Sequence, residues 1–209
     1  MTRAELADAL WPEALPAAWE SALNALVSKL RGLLTGLGPR AAMSLTSVSG
    51  GYLLQAGDGA WIDREAAAEA IDQAEGLLRS RDWKAAWAPA NIAAITARQP
   101  FLLGEESEWV TLERTRLQGI LLRALDCLAD IWLLNGEPSL ALNAAQESVA
   151  VEPYRETSYQ RLMRLHAVLG NRAEGLRVYE SCRLLFANEL GTDPSPETQK
   201  VYAELLGPA

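Results

Sequence analysis

One histidine, two cysteines and a short run of glutamates are the side chains in this 209-residue chain suited to nucleophilic, acid–base or metal chemistry. His166 falls inside a helical pattern at a position where helical repeats place an aromatic, which reads as a packed side chain. Cys127 and Cys182 lie in separate helical patterns and neither belongs to a C-x-x-C, so both read as core filling rather than metal or redox groups. Glu105, Glu106 and Glu108 have no His or Cys beside them, and a solvated loop is expected there instead of a cation site. No G-x-S-x-G, H-E-x-x-H or G-x-x-x-x-G-K-[ST] occurs. Gly36-Leu-Gly38 and Gly57-Asp-Gly59 lack the third glycine and the strand-to-helix setting of a dinucleotide site. A Ser-His-Asp set assembled in space stays open in principle, and nothing points to one. The expectation is a chain without catalysis, cofactor or metal.

Polar residues at helical spacing are the other candidates. Glu20, Asn24, Ser28 and Arg31 line the side opposite an apolar helix stripe, with Lys29 beside them, the pattern of an ordinary solvated polar face. The formal net charge of −8 repels polyanions over distance and contradicts a generic nucleic-acid binder. Affinity for DNA therefore has to come from a local patch. Residues 1–60 hold four basic side chains (Arg3, Lys29, Arg31, Arg40) against five acidic ones (Glu5, Asp8, Glu13, Glu20, Asp58), so the acid excess lies downstream. Met1 to Leu10 lacks the apolar run of a signal peptide, and Arg123, Asp126 and Asp130 interrupt the apolar stretch Leu117 to Leu134. A cytoplasmic protein with no membrane segment is expected, built as two domains.

The elements that position the front residues follow from caps and periodicity. Thr2 with Glu5 makes a capping box, and the helix it starts ends near Trp11, before Pro12. A second helix opens at Pro16 and runs to about Leu34, where Gly36, Gly38 and Pro39 stop it. Leu23, Leu26, Val27, Leu30, Leu33 and Leu34 form its apolar stripe. The β-prone segment Ser44 to Gln55 reads as a hairpin with its tip at Gly50-Gly51 or earlier, in the Gly36 to Arg40 loop. Helix, turn, longer helix and hairpin is the order of a winged helix-turn-helix.

Further along, one pattern occurs twice. Leu125, Ala129, Trp132, Gly136, Ala141, Ala145 and Ser148 return thirty-four residues later as Tyr159, Met163, His166, Gly170, Gly175, Tyr179 and Cys182. That is the tetratricopeptide period, in which two antiparallel helices pack through small residues and neither buries its apolar face alone. Ile62, Ala66, Ala70, Ala74, Leu77 and Leu78 mark an earlier helix, and Trp83, Ala86, Ala90 and Ala93 a less regular copy of the frame, so at least three hairpins are expected. Between them Pro100 to Trp109 forms a loop, with Trp109 as a packed anchor. Near the end, Gly191 stops a helix, Ser195 caps the next and Pro196 opens it, which suits a terminal cap sealed by Val201, Tyr202, Leu205 and Leu206.

Arg3 to Trp11, Ala22 to Arg31 and Gly50-Gly-Tyr52 resemble the DNA-binding domain of streptomycete antibiotic regulatory proteins, the SARP-type activators. Gln99 to Val110 and Glu189 to Glu197 resemble their bacterial transcriptional activator domain. The resemblance covers nearly the whole chain. It implies a mostly α protein: a tetratricopeptide-like helical repeat domain, residues 59–209, preceded by a truncated winged helix-turn-helix with a β-hairpin wing, residues 1–58. It also implies that Asn24 and Ser28 face base edges while Lys29 and Arg31 meet phosphate. Two departures stand against it. The β-sheet and first helix that precede Thr2 in that family are absent, which leaves the leucine stripe short of cover at roughly 1.5–3 kcal/mol per wet side chain. Family wings tend to carry arginines around the Gly-Gly-Tyr, where this chain has Val48, Ser49 and Leu53. The expected partners are double-stranded DNA, the transcription machinery or another protein, and a second copy in a homodimer. The competing expectation is an interaction scaffold that has lost DNA binding.

Overall fold

Thr2 starts the first helix as the capping box requires: its Oγ1 accepts from the Glu5 amide, and the Glu5 carboxylate accepts from the Thr2 amide at 2.7 Å. A computed structural model describes residues 1–36, 43–57 and 60–207. Helix α1 spans Arg3–Leu10 and α2 spans Trp19–Gly36. The second helix starts later than Pro16, because the Pro16 carbonyl accepts from the Trp19 amide in a turn that precedes it. Gly38 and Pro39, expected to stop it, lie outside the described residues. Strands β1 (Ser44–Val48) and β2 (Gly51–Gln55) pair antiparallel with Val48 opposite Gly51. The tip is therefore at Ser49-Gly50, where Gly50 takes a φ of 77° that a side chain would disfavour. The other place considered, Gly36 to Arg40, falls largely outside the described residues.

The chain divides into two compact units. One comprises Met1–Ile62 with Phe101–Arg114, and the other Asp63–Pro100 with Thr115–Ala209. In the first, Arg114 donates to the carbonyls of Phe101 and Leu102. Trp109, expected as a packed anchor, is 43% exposed and meets Phe101 in a T-shaped contact, with ring centroids 6.0 Å apart.

The second unit is a tetratricopeptide-like stack. Helices α3 (Asp63–Arg79) and α4 (Trp83–Ala97) form the first hairpin. The second pairs α5 (Glu108–Leu134), from Thr115 onward, with α6 (Pro138–Val151), and the third pairs α7 (Glu156–Val168) with α8 (Arg172–Glu189). Small residues bring each pair together: Ala86, Ala141 and Gly175 hold one place in the frame and are all buried. A Cβ on Gly175 would stand 3.0 Å from Leu205 in the last helix and 3.4 Å from the Met163 carbonyl oxygen of α7, so glycine lets both neighbours approach. On α3 the buried face runs through Ala67, Ala70, Ile71 and Ala74, while Ile62 precedes the helix and stays exposed. The expected stripe was thus shifted at its start, because a run of alanines gives the pattern little contrast.

Charged staples hold neighbouring hairpins in register. Arg123 of α5 reaches Asp72 at 2.6 Å and Glu75 at 2.7 Å on α3. That guanidinium holds the Glu75 carboxyl below its ordinary range. Arg98, just past α4, grips Glu147 of α6 with two bonds of 2.6 and 2.8 Å. Arg155 and Arg161 bind Asp126 and Asp130 of α5. Helix α9 (Pro196–Leu206) closes the stack with Val201 and Leu205 buried and Tyr202 stacked on Tyr179 at 4.0 Å. Glu156 takes hydrogen bonds from the Ser195 amide and hydroxyl and from Thr198. Burial opposes its ionisation, but those bonds prevail and keep the carboxyl below its usual range. No helix among the described residues is long and apolar enough to cross a membrane.

The three hairpin turns share one closure. The amides of Asp82, Glu137 and Asn171 each reach back to the carbonyls of Leu77, Trp132 and His166, at 2.9, 2.8 and 2.9 Å. The residue before each donor has positive φ: 79° at Gly136, 72° at Gly170 and 65° at Arg81. Only the first turn places a side chain in that strained region. Arg81→Gly is expected to raise stability by about 1 kcal/mol, and Gly136→Ala to lower it by about as much. Urea denaturation of the two variants checks this, and a destabilised Arg81→Gly would contradict it.

Candidate nucleic-acid interface

The apolar side of α2 decides which residues are left for its outer side. Leu23 and Val27 are buried with Tyr52 of β2, and Leu6, Trp11, Trp19 and Leu45 pack against this cluster. Seen along the helix, Asn24, Ser28, Lys29 and Arg31 are exposed, as a solvent-facing polar face requires. Asn24, Ser28 and Arg31 share one side of α2 by their spacing, and Lys29 is displaced from Ser28 by about 100° around the helix.

Two of the four already have work inside the protein. Arg31 donates from Nε to the Leu45 carbonyl and from Nη2 to Ser47 Oγ, both at 2.9 Å, which clips β1 to the helix. Asn24 Oδ1 accepts from Arg3 Nη2 and from the Tyr52 hydroxyl, each at 3.1 Å. Arg3 Nη1 also donates to that hydroxyl at 2.9 Å. The guanidiniums of Arg3 and Arg31 lie 5.7 and 6.0 Å from the centre of the Tyr52 ring. Among the described residues, Ser28 and Lys29 have no such hydrogen bond or ion pair.

Arg3 and Tyr52 were not among the expected site residues. The available signal was the Gly50-Gly51-Tyr52 run, whose three residues serve three purposes. Gly50 turns the chain. Gly51 admits the first residues of the chain, since a Cβ there would fall 2.3 Å from the Met1 carbonyl oxygen, and Thr2 forms a β-bridge with Gly51. Tyr52 enters the core with its hydroxyl kept at the polar edge. The wing beside it carries no charge at all from Met43 to Gly57. Any phosphate contact it makes has to use backbone amides and hydroxyls.

Opposite the polar face the leucine stripe is only half covered. Leu10, Leu26, Leu30, Leu53 and Leu54 are between 43% and 51% exposed. With Met1, Leu6 and Leu45 they line an apolar groove of about 410 Å3. This is the shortfall in cover that the stripe implied.

Of the residues suited to chemistry, the histidine and the two cysteines are built into the helical stack. His166 is buried in α7 with its Nδ1 unpartnered. Burial pushes the thiol of Cys127 up to about 12 and that of Cys182 to about 11, so neither supplies a thiolate at neutral pH. Glu105, Glu106 and Glu108 are exposed.

Comparison with known proteins identifies the family of the helical stack. The bacterial transcriptional activator domain family matches residues 62–206. Regulatory protein AfsR of Streptomyces coelicolor is 31% identical over 98% of this chain, which spans 20% of that relative. The transcriptional regulator RedD of the same organism is 28% identical over 97% of this chain and 58% of its own length. Among solved structures, Mycobacterium tuberculosis EmbR in complex with a low affinity phosphopeptide superimposes with a TM-score of 0.86 at 23% identity, over 99% of this chain and 54% of that one. The chain therefore spans from a fifth to somewhat more than half of these proteins.

Removing the clip at Arg31 should loosen the wing without melting α2. Arg31→Ala is expected to speed amide hydrogen exchange across β1 and β2 by roughly fivefold, the equivalent of about 1 kcal/mol. Unchanged exchange from Ser44 to Gln55 would show that the two hydrogen bonds do not hold the hairpin.

Proposed function

The chain belongs to the bacterial transcriptional activator domain family and is similar to a regulatory protein and a transcriptional regulator, and we propose that it is a SARP-type regulator that reads duplex DNA through α2 and the wing and engages a protein partner through the helical stack. The observation that carries this is the exposed polar face of α2, with the hairpin clipped beside it by Arg31. Helix and wing then meet the duplex as one piece, the helix in the major groove and the wing along the backbone. Residues 1–58 do the reading in this proposal, and residues 59–209 hold the transcription machinery or another protein. Ser28 and Asn24 face base edges and Lys29 meets a phosphate. Arg31 divides its charge between a nearby phosphate and the wing it positions.

Electrostatics makes the proposal measurable. In a chain of net charge −8, each retained phosphate contact carries a large share of the affinity. Titration of a mixed-sequence duplex should show binding that weakens steeply as salt rises from about 50 to 200 mM, and Lys29→Ala should lower the slope of log K against log salt by about 1. Absence of binding at the lowest salt would leave the stack as an interaction platform and remove the DNA reading. The proposal includes a homodimer, supported by the leucine-lined groove, an apolar surface that a second copy is suited to cover. Sedimentation showing a monomer at every concentration would overturn that element.

A further inference from the structure

The hydrogen bonds around Asn24 determine which way its amide faces. Arg3 has donors only, and it gives one to the Tyr52 hydroxyl at 2.9 Å. The single hydroxyl hydrogen of Tyr52 is then directed to Asn24 at 3.1 Å, and Arg3 Nη2 approaches the same Asn24 atom at 3.1 Å. Two donors converge on one atom, so that atom is the carbonyl oxygen Oδ1. With the amide turned over, an NH2 would face two other hydrogens.

A carbonyl oxygen has two lone pairs, and both are now in use. Asn24 Nδ2 keeps its two hydrogens, has no acceptor among the described residues and belongs to an exposed side chain. The arrangement is held from below, because the Tyr52 ring is seated against Leu23 and Val27 and is only 9% exposed. Its hydroxyl cannot leave Asn24 without unpacking the cluster that joins α1, α2 and the hairpin.

Asparagine usually reads adenine in the major groove by two bonds, donating to N7 while accepting from the N6 amino group. Here the accepting half is already occupied. Guanine presents N7 and O6, both acceptors, which a free NH2 group can satisfy. Taking α2 as the DNA-facing helix, we infer that the Arg3–Tyr52–Asn24 triangle makes Asn24 a donor-only reader that selects guanine and rejects adenine. Arg3 and Tyr52 act as positioning residues, and Asn24 sets the specificity.

The test is selection of binding sites by the full chain from a duplex pool with a randomised centre, run in parallel with Asn24→Asp and Tyr52→Phe. The native chain should enrich guanine over adenine by about tenfold at one position. Replacing that guanine by 7-deazaguanine, which lacks the N7 acceptor, should cost most of the gain. Asn24→Asp keeps both bonds from Arg3 and Tyr52 but loses its donors, and should shift the position toward cytosine, whose amino group can donate to a carboxylate. Tyr52→Phe frees one lone pair on Oδ1 and should admit adenine. A residue that merely supported the fold would weaken binding in these variants without changing the preferred base. Adenine enriched by the native chain, or the same preference in all three proteins, overturns the inference while leaving DNA binding intact. Failure of the native chain to bind any duplex in the pool overturns the DNA reading and this inference with it.

Discussion

A pair of amphipathic helices has more apolar surface than the two can hide from water between themselves, and both units of this protein are organised by that excess. In the helical stack each hairpin passes its uncovered face to the next, through alanines and one glycine that let the backbones approach. In the front unit the β-hairpin takes up part of the surplus. Tyr52 and Leu45 of the β-hairpin cover the Leu23–Val27 end of the stripe, and the remaining leucines stay half wet around an open groove. The hairpin therefore has two duties, as core for α1 and α2 and as a wing beside them.

That double duty explains the distribution of charge on the front unit. A wing without lysine or arginine cannot be drawn to a polyanion by its own side chains, and its orientation has to be fixed by the helix it accompanies. Arg31 supplies this through two hydrogen bonds to β1, and Arg3 through the Tyr52 hydroxyl. Cations that would otherwise face outward are partly spent on internal order. Asn24 has its direction fixed by two hydrogen bonds, and in the proposed reading of DNA this favours discrimination between bases over raw attraction.

Much of this architecture was readable from residue types because the physics involved is local or periodic. The Thr2–Glu5 box, the Ser195 cap and the Gly136 and Gly170 turns each depend on residues within a few positions of one another, and the structure has them as expected. The thirty-four-residue frame is periodic, and it located the second and third hairpins for the same reason. Where contrast was low the reading slipped: the alanine-rich α3 gave a displaced stripe, and Trp109 turned out half exposed. Partners distant in sequence were not legible. Nothing near Asn24 announces that its oxygen is claimed by a residue twenty-one positions earlier and another twenty-eight positions later. The Gly50-Gly51-Tyr52 run was visible, but the need for Gly51 appears only once the Met1 carbonyl is seen against it.

Helix α9 bears on how such a gene can change. The motif Asp193-Pro-Ser-Pro delays its start to Pro196, past the point where a thirty-four-residue step from Glu156 would begin another repeat. Its N-terminal hydroxyls engage Glu156, and its Leu205 fills the space left by Gly175. A tandem duplication that copied α7 and α8 into the gene would leave one of the two glutamates without these partners and one of the two glycines facing a helix in the wrong register. In this protein the terminal helix is matched to the last hairpin by shape and hydrogen bonding.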